Sequence, residues 1–341
     1  MRIATYNVEW MDSLFDADDQ PSHDDKWSSR YNVTRAGQLE ALGMVFRAMD
    51  ADAVMVIEAP DASTSRETTR ALEAFAAFYD LRTTQAVRGF ANDTKQEIAL
   101  LYDPSCLTVR HDPQGPITGN AGRSDAPRFD GTFRIDLDVD ATEDLVVFSK
   151  PPLELAVKTT TGAELRLIGA HLKSKAPHGG ETPNEIMRIS IANRRKQLAQ
   201  AIWLRARISA HLAAGEDVIL MGDLNDGPGL DEYESLFGRS SVEIILGGEE
   251  EKALFDPHAA AALSRRIHAL PTTSRFYLRH EKRFLQALLD YIMVSDGLRA
   301  RSPRWRIWHP FDDVKCWTNE GLQAALLAAS DHFPVTLDID M

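Results

Sequence analysis

Val218-Ile219-Leu220-Met221-Gly222-Asp223-Leu224-Asn225 runs from four apolar residues through a glycine into two polar side chains that the strand period places on one face. A continuous apolar run of this length reads as a strand buried on both faces. A strand with a purely structural task has no need of an acid and an amide at its end. The pattern recurs along the chain. Val54-Met55-Val56-Ile57 leads to Glu58, and Leu167-Ile168-Gly169-Ala170 leads to His171. Near the start, Ile3-Ala4-Thr5-Tyr6-Asn7-Val8-Glu9-Trp10 sets Asn7 and Glu9 on a common face. Near the end, Leu289-Asp290-Tyr291-Ile292 and Ser330-Asp331-His332-Phe333-Pro334 add two acids and an imidazole.

Each of these residues alone has an ordinary explanation. An Asp or Asn after a strand commonly turns the chain or caps a helix, and a lone His is commonly a satisfied hydrogen-bonder. The set is different. Carboxylates Glu9, Glu58, Asp223, Asp290 and Asp331, amides Asn7 and Asn225, and imidazoles His171 and His332 are costly to gather at one sheet edge without countercharge. An oxygen-rich group without cysteine suits a hard divalent cation, so Mg²⁺ or Mn²⁺ is the expected cofactor. With two imidazoles beside it, the expected chemistry is hydrolysis of a phosphate ester by an activated water.

Around these motifs, β-branched apolar runs alternate with helical patterns, the rhythm of a layered α/β or α+β fold. Thr34 is placed to cap a helix carrying Leu39, Leu42, Val45, Phe46 and Met49, and further helices are expected over 66–79 and 185–214. Strands are expected at 53–57, 98–102, 165–170, 217–221, 291–294 and 335–339. Loops fall at 12–33, 111–131 and 226–232, and 238–285 reads as a mixed insertion. None of these divides the chain into self-sufficient halves, so one domain over 1–341 is expected. The 341 residues carry 38 Lys+Arg against 51 Asp+Glu, a formal charge of −13, with 44% hydrophobic and 26% charged residues. Such an acidic balance argues against generic coating of duplex nucleic acid but not against a cleft that holds cations. Cys106 and Cys316 lack metal-ligand spacing and read as incidental thiols. No apolar run suffices for a membrane span, and the first residues lack a signal core, so a cytoplasmic place is expected.

The six motifs, in their order, resemble the endonuclease/exonuclease/phosphatase superfamily of Mg²⁺-dependent phosphoesterases. The resemblance implies an α+β fold: a four-layer α/β sandwich with two packed, mostly antiparallel sheets flanked by helices, DNase I-like. By the same resemblance Glu58 is the principal metal ligand, assisted by Asn7 and by Glu9 or Asp331. Asp223 orients or deprotonates the attacking water, and Asn225 bonds the scissile phosphate. His332 faces the phosphate with its tautomer fixed by Asp290, and His171 donates to a non-bridging oxygen. Two departures stand out: Ile57 precedes Glu58 where many relatives have glutamine, and Lys150 opens a strand that in relatives often begins with arginine.

His171-Leu172-Lys173-Ser174-Lys175 resembles the motif of bacterial extracellular-type DNases in the superfamily. Lys173 and Lys175 would then meet a phosphate backbone, with Arg195 from the long helix beside them. The first expectation is therefore a phosphodiesterase that is a nuclease acting on DNA. The second is a phosphatase or phosphodiesterase of a small metabolite or lipid headgroup. A non-catalytic phosphate-binding scaffold comes last, because no catalytic position is broken. A groove lined by Lys173, Lys175 and Arg195 would speak for a polymer, and a pocket roofed by the insertion for a small molecule. The acidic run Asp16, Asp18, Asp19, Asp24 and Asp25 reads as a solvated loop, and Trp203, Trp305 and Trp308 as packing residues. Oligomeric state leaves no mark on the sequence.

Overall fold

The structure is a computed structural model that describes residues 1–137, 143–177, 179–229, 234–248, 252–264, 270–278 and 282–341. In chain order its strands are β1 (Arg2–Asn7), β2 (Ala53–Ala59), β3 (Gln85–Arg88), β4 (Glu97–Tyr102), β5 (Leu107–His111), β6 (Phe133–Ile135), β7 (Asp144–Val146) and β8 (Leu153–Thr159). They continue with β9 (Glu164–His171), β10 (Val218–Asp223), β11 (Leu254–Phe255), β12 (Ser274–Leu278), β13 (Arg283–Ala287), β14 (Asp290–Ser295), β15 (Arg304–Ile307) and β16 (Val335–Asp338). Two six-stranded sheets result, ordered β15-β16-β1-β2-β4-β3 and β11-β14-β10-β9-β8-β5. Neighbours run antiparallel except at one place in each sheet, where β1 lies parallel to β2 and β9 parallel to β10.

The sheets pack face to face because alternate residues of the central strands are apolar on both sides. Ala53, Met55 and Ile57 of β2 face Ile219 and Met221 of β10 and Ile292 and Val294 of β14 in the interlayer core. The outer face of the first sheet, with Tyr6, Val54 and Val56, is covered by the helices Arg35–Met49, Thr68–Phe78 and Glu320–Ala329 through Leu42, Phe46, Phe75 and Leu326. The outer face of the second, with Ile168, Val218 and Leu220, is covered by the helix Pro183–Ala213 through Leu198, Trp203 and Ile208. These four layers are the expected sandwich.

Local chemistry explains most of the boundaries. Thr34 Oγ1 accepts the Gly37 N–H and starts the first helix where expected. The helix over 183–213 is unbroken and opens on a capping box of Thr182 and Glu185, with Pro183 in the first turn. The helix expected over 66–79 begins later, at Thr68, because Glu67 caps it. The insertion at 238–285 holds two short helices, Ser241–Leu246 and Pro257–Leu263, with β11 between them, and runs into the hairpin β12–β13; its stretches 249–251, 265–269 and 279–281 lie outside the described residues. In the acidic loop, Asp19 departs from the solvated reading. It is fully buried, pairs with Arg66 and Arg70 and accepts the Glu67 N–H, tying the loop to the second helix. No described helix is long and apolar enough to cross a membrane.

Gly222 fixes how β9 and β10 meet. Its φ is +138°, and a Cβ there would stand 2.0 Å from the Ala170 carbonyl oxygen of β9. Gly222→Ala is therefore expected to lower stability by about 2–3 kcal/mol, through backbone strain and loss of register. Urea denaturation checks this, and an unchanged midpoint would count against the tight pairing.

Candidate active site

The interlayer face of each central strand stays apolar until its end at one edge of the sandwich, and there it turns polar. Ile219 and Met221 are followed on that face by Asp223, Leu165 and Leu167 by His171, and Ile292 is preceded by Asp290. In β1 the same face ends in Asn7. Strand pairing puts these ends side by side: Asp223 is the register partner of His171 in the parallel neighbour β9 and of Asp290 in the antiparallel neighbour β14, while Asn7 is partnered with Ile57, next to Glu58. The result is a half-open cleft of about 680 Å³ whose lining includes Glu58, His171, Asp223, Asn225, Asp331 and His332.

At its floor, His332 Nδ1 lies 2.7 Å from Asp290 Oδ2, and Nε2 lies 3.9 Å from Asp223 Oδ2. All three side chains are buried. Burial opposes the His332 imidazolium, but Asp290, Asp223 and Asp331 outweigh it and raise its pKa. Burial likewise raises the Asp223 carboxyl, against the pull of His332 and with Asp290 adding to the rise. The two groups thus favour holding a proton between them. Asp223 is aimed by donors on its other sides: Asn7 Nδ2 at 3.1 Å, Asn225 N at 2.8 Å and Asn225 Nδ2 at 3.2 Å. Asp290 is seated by its own N–H on Thr273 Oγ1, and its Oδ1 is buried without a hydrogen-bond partner.

Strict strand alternation would send Glu58 to the helix side, away from the cleft. A bulge prevents this. The β2–β4 register shifts between Ile57 and Ala59, and Glu58 itself has φ +63°. Its carboxylate reaches the cleft, accepting Asn7 Nδ2 at 3.4 Å and the Trp10 N–H at 3.0 Å. Among the described residues no cation stands within ion-pair distance of it. Asp331 flanks the same opening, its Oδ1 3.9 Å from His332 Nε2. Glu9 reaches the cleft wall but is differently committed. One of its oxygens is ion-paired with Arg30 and also accepts the Asp331 N–H, so it braces the turn before His332. Of the two alternatives, Glu9 or Asp331, Glu9 is thus the one already engaged through one carboxylate oxygen.

His171 is buried, 3.6 Å from Asp223 Oδ2, and its pKa is driven well below the ordinary value by burial, then by Lys150 and His332. These influences favour its neutral form, and Lys150 Nζ stands 3.3 and 3.4 Å from its two ring nitrogens. Burial also lowers the Lys150 pKa, while Glu58 and Asp223 support the charge. Lys173 and Lys175 line the cleft as expected. Burial lowers Lys173, and Lys175 is ion-paired with the fully buried Asp226. Asn225 lines the cleft too, but its amide donates to Asp223 and to the Leu172 carbonyl, so in this structure it positions Asp223. Arg195 is placed elsewhere. It pairs with Asp144 of β7 at 2.8 Å and is no part of the cleft lining, which corrects its reading as a groove residue.

Three residues of the cleft carry no site role in the sequence reading, although Lys150 stands there as a departure from the family pattern and Trp10 closes the first motif. Lys150, Trp10 and Phe276 all line it, and Phe276 meets the His332 ring edge-on at 5.5 Å. Lys150 stands just ahead of β8, which runs antiparallel to β9, so the start of β8 lies beside the His171 end of β9. Three polar residues behind the site were also silent. Gln38 Nε2 bonds the carbonyls of Val8, Glu9 and Ala329, tying the loop after β1 to the turn before His332. Gln197 bonds the carbonyls of Lys173 and Asn225, and Gln200 accepts the Lys173 N–H. The insertion contributes as well: Thr273 O accepts the Phe333 N–H, and Arg275 N donates to the Asp331 carbonyl at 2.7 Å.

Two packed sheets with carboxylates and imidazoles converging at one edge define a hydrolase of the phosphoester class. The chain belongs to the Endonuclease/Exonuclease/phosphatase family, whose model matches residues 4–332. Members of that family are divalent-metal-dependent hydrolases of phosphate esters. Among solved structures, TDP2 from Caenorhabditis elegans is similar at 12% identity and a TM-score of 0.50, over 98% of this chain and 74% of that one. D. rerio TDP2 complexed with single strand DNA product is similar at 13% identity and a TM-score of 0.48, over 100% of this chain and 99% of that one. The human nocturnin catalytic domain with bound sulfate anion is similar at 13% identity and a TM-score of 0.46, over 100% and 94%. No curated protein sequence matches.

His332→Ala removes the one imidazole held between Asp290 and Asp223 and is expected to cut turnover by about 10²–10⁴. Asp290→Asn is expected to cost less, because the amide keeps the contact but not the charge. Both are read as kcat on bis-p-nitrophenyl phosphate, with melting temperature as the control for folding. Near-wild-type turnover in His332→Ala would remove His332 from the reaction.

Proposed function

We propose that this chain is a Mg²⁺- or Mn²⁺-dependent phosphodiesterase that acts as a nuclease, with DNA as its substrate, and that residues 1–341 form one catalytic domain. The observation that carries the reading is the Asp290–His332–Asp223 chain opening onto the same cleft as Lys150, Lys173 and Lys175. Asp223 and His332 hold and move the proton of the attacking water, and Asp290 fixes the imidazole. Neutral His171 offers an N–H, and Lys150 and Lys173 a positive charge, to the non-bridging oxygens.

The residues present fit a divalent cation. Glu58 offers a carboxylate with no cation within ion-pair distance among the described residues, Asn7 and Asp331 stand beside it with further oxygens, and Asp223, Asp290 and His332 offer ligand atoms within 4.8 Å of one another. Glu58, Asn7 and Asp331 are the residues we assign to the ion, since Asp290 and His332 are already engaged with each other. Bound there, the ion would act as a Lewis acid on a phosphate oxygen. A second reading, a small phosphodiester or lipid headgroup, draws support from the hairpin β12–β13, whose Phe276 and Leu285 wall one side of the cleft.

Protein stripped with EDTA and refilled with Mg²⁺ or Mn²⁺ is expected to cleave single- or double-stranded DNA, with no turnover in the metal-free form. RNA, bis-p-nitrophenyl phosphate and a phosphomonoester serve as companions, and His332→Ala as the control. Turnover of the small esters alone would move the second reading ahead. No cleavage with either metal would overturn both.

A further inference from the structure

Two of the tryptophans read as packing residues do pack: Trp203 is fully buried among Phe129, Phe133 and Phe148, and Trp308 lies under Arg306. A different set of rings is exposed next to the cleft. Tyr277 and Phe284, facing each other across the hairpin β12–β13, have centroids 5.2 Å apart. The Arg275 guanidinium lies 3.8 Å over Phe284 and 5.2 Å from Phe311, and Phe311 in turn lies 6.4 Å from Trp317. These four rings are between 38% and 57% exposed, so they form one unbroken aromatic stripe with a guanidinium at its middle.

The stripe starts one residue from the active site. Arg275 N holds the Asp331 carbonyl, and its neighbour Phe276 touches His332 inside the cleft. We propose that the stripe is a landing surface for a single-stranded segment of nucleic acid, whose unpaired bases stack on Tyr277, Phe284, Phe311 and Trp317. The proposal rests on the nuclease reading of the adjoining site. Each ring pair is tilted, at 58° and 53°, so the rings do not stack face to face on one another and each remains substantially exposed. A duplex keeps its bases inside and cannot use such faces, whereas every unpaired base has one to offer.

Charge distinguishes this surface from an ordinary apolar docking patch. In a chain of net charge −13, exposed Lys282 and Arg283 flank Phe284, and exposed Lys315 flanks Trp317. Of the two acids between Phe311 and Trp317, Asp313 is neutralised by Arg306 in a two-point contact at 2.8 Å, and Asp312, which is exposed, rests on His309. Rings interleaved with cations are the combination that grips a single strand through bases and phosphates together.

The test uses the full chain in EDTA, so that binding is read without cleavage, with a fluorescein-labelled oligothymidylate as probe and anisotropy as readout. Phe284→Ala and Trp317→Ala are each expected to weaken binding about five- to tenfold, and the double variant further. With Mg²⁺ or Mn²⁺ restored, turnover of bis-p-nitrophenyl phosphate is expected to stay at the wild-type rate in all three, which also certifies their fold. Equal oligothymidylate binding by wild type and variants would overturn the proposal. So would wild-type protein that hydrolyses the small ester yet binds no oligothymidylate: the phosphodiesterase reading would stand and the stripe would pass to a protein partner. Stripe-dependent binding without any hydrolysis would separate the two in the opposite sense, keeping the stripe and removing the catalytic reading.

Discussion

The site depends on one constraint of strand pairing. Each sheet is antiparallel except for a central parallel pair, β1 with β2 and β9 with β10, and parallel strands end on the same side. Those two pairs therefore bring Asn7, Glu58, His171 and Asp223 to one edge, while the antiparallel neighbour β14 begins there with Asp290. Antiparallel pairing throughout would leave alternate polar ends at opposite edges. The register is as important as the direction. Asp223 faces both His171 and Asp290, and a slip of one residue would turn each acid towards the helices. Gly222 guards that register, because only a residue without Cβ tolerates the Ala170 carbonyl at this distance.

Placing two buried acids opposite each other is unfavourable by itself, and the surrounding structure carries the cost. His332 lies between Asp290 and Asp223, and the donors Asn7 and Asn225 satisfy the outer lone pairs of Asp223. Backbone strain concentrates at the same place. Glu9, Trp10, Glu58 and Asn225 all adopt positive φ, a cost on the order of 1–3 kcal/mol for each such residue. Gln38 and Gln197 hold the strained loops at Glu9 and Asn225 by hydrogen bonds from helices behind them. Strain held this way is the mark of geometry set by the site and not by local preference.

The sequence displayed much of this because a polar residue closing an apolar run is a local signal. Asn7, Glu58, His171, Asp223, Asp290 and His332 were legible for that reason, and so were the strands that carry them. The bulge was not legible, since nothing in Val56-Ile57-Glu58-Ala59 announces an extra residue in the pairing. Lys150 stands out in the sequence only as a departure from the family's arginine; its approach to His171 follows from how β8 packs beside β9. Arg195 went astray for the converse reason. Its helix is plain in the sequence, but the face it turns to Asp144 is set by the hairpin β6–β7, which the sequence leaves unmarked. The aromatic stripe joins residues of the hairpin to a segment some way down the chain, through an arginine that neither segment's pattern explains.

The charge arrangement in the cleft gives these pieces a common logic. Glu9 is answered by Arg30 and Lys175 by Asp226, so neither contributes a net charge to a ligand. His332 serves Asp290 and Asp223. Facing the opening are then Glu58 and Asp331 against Lys150 and Lys173, and both ammonium groups are weakened by burial. Such a site is close to electrically balanced and has little attraction of its own for a phosphodiester, which adds negative charge. A divalent cation held by the acids at the opening reverses that sign locally. The balance also explains why an acidic chain would need a separate surface to gather a polyanion: within a Debye length of roughly 8–10 Å the local cations beside the stripe are felt more than the distant acids. Affinity drawn from ring faces and a few cations, and chemistry drawn from a nearly neutral cleft, is a division of labour that this fold accommodates because one hairpin borders both.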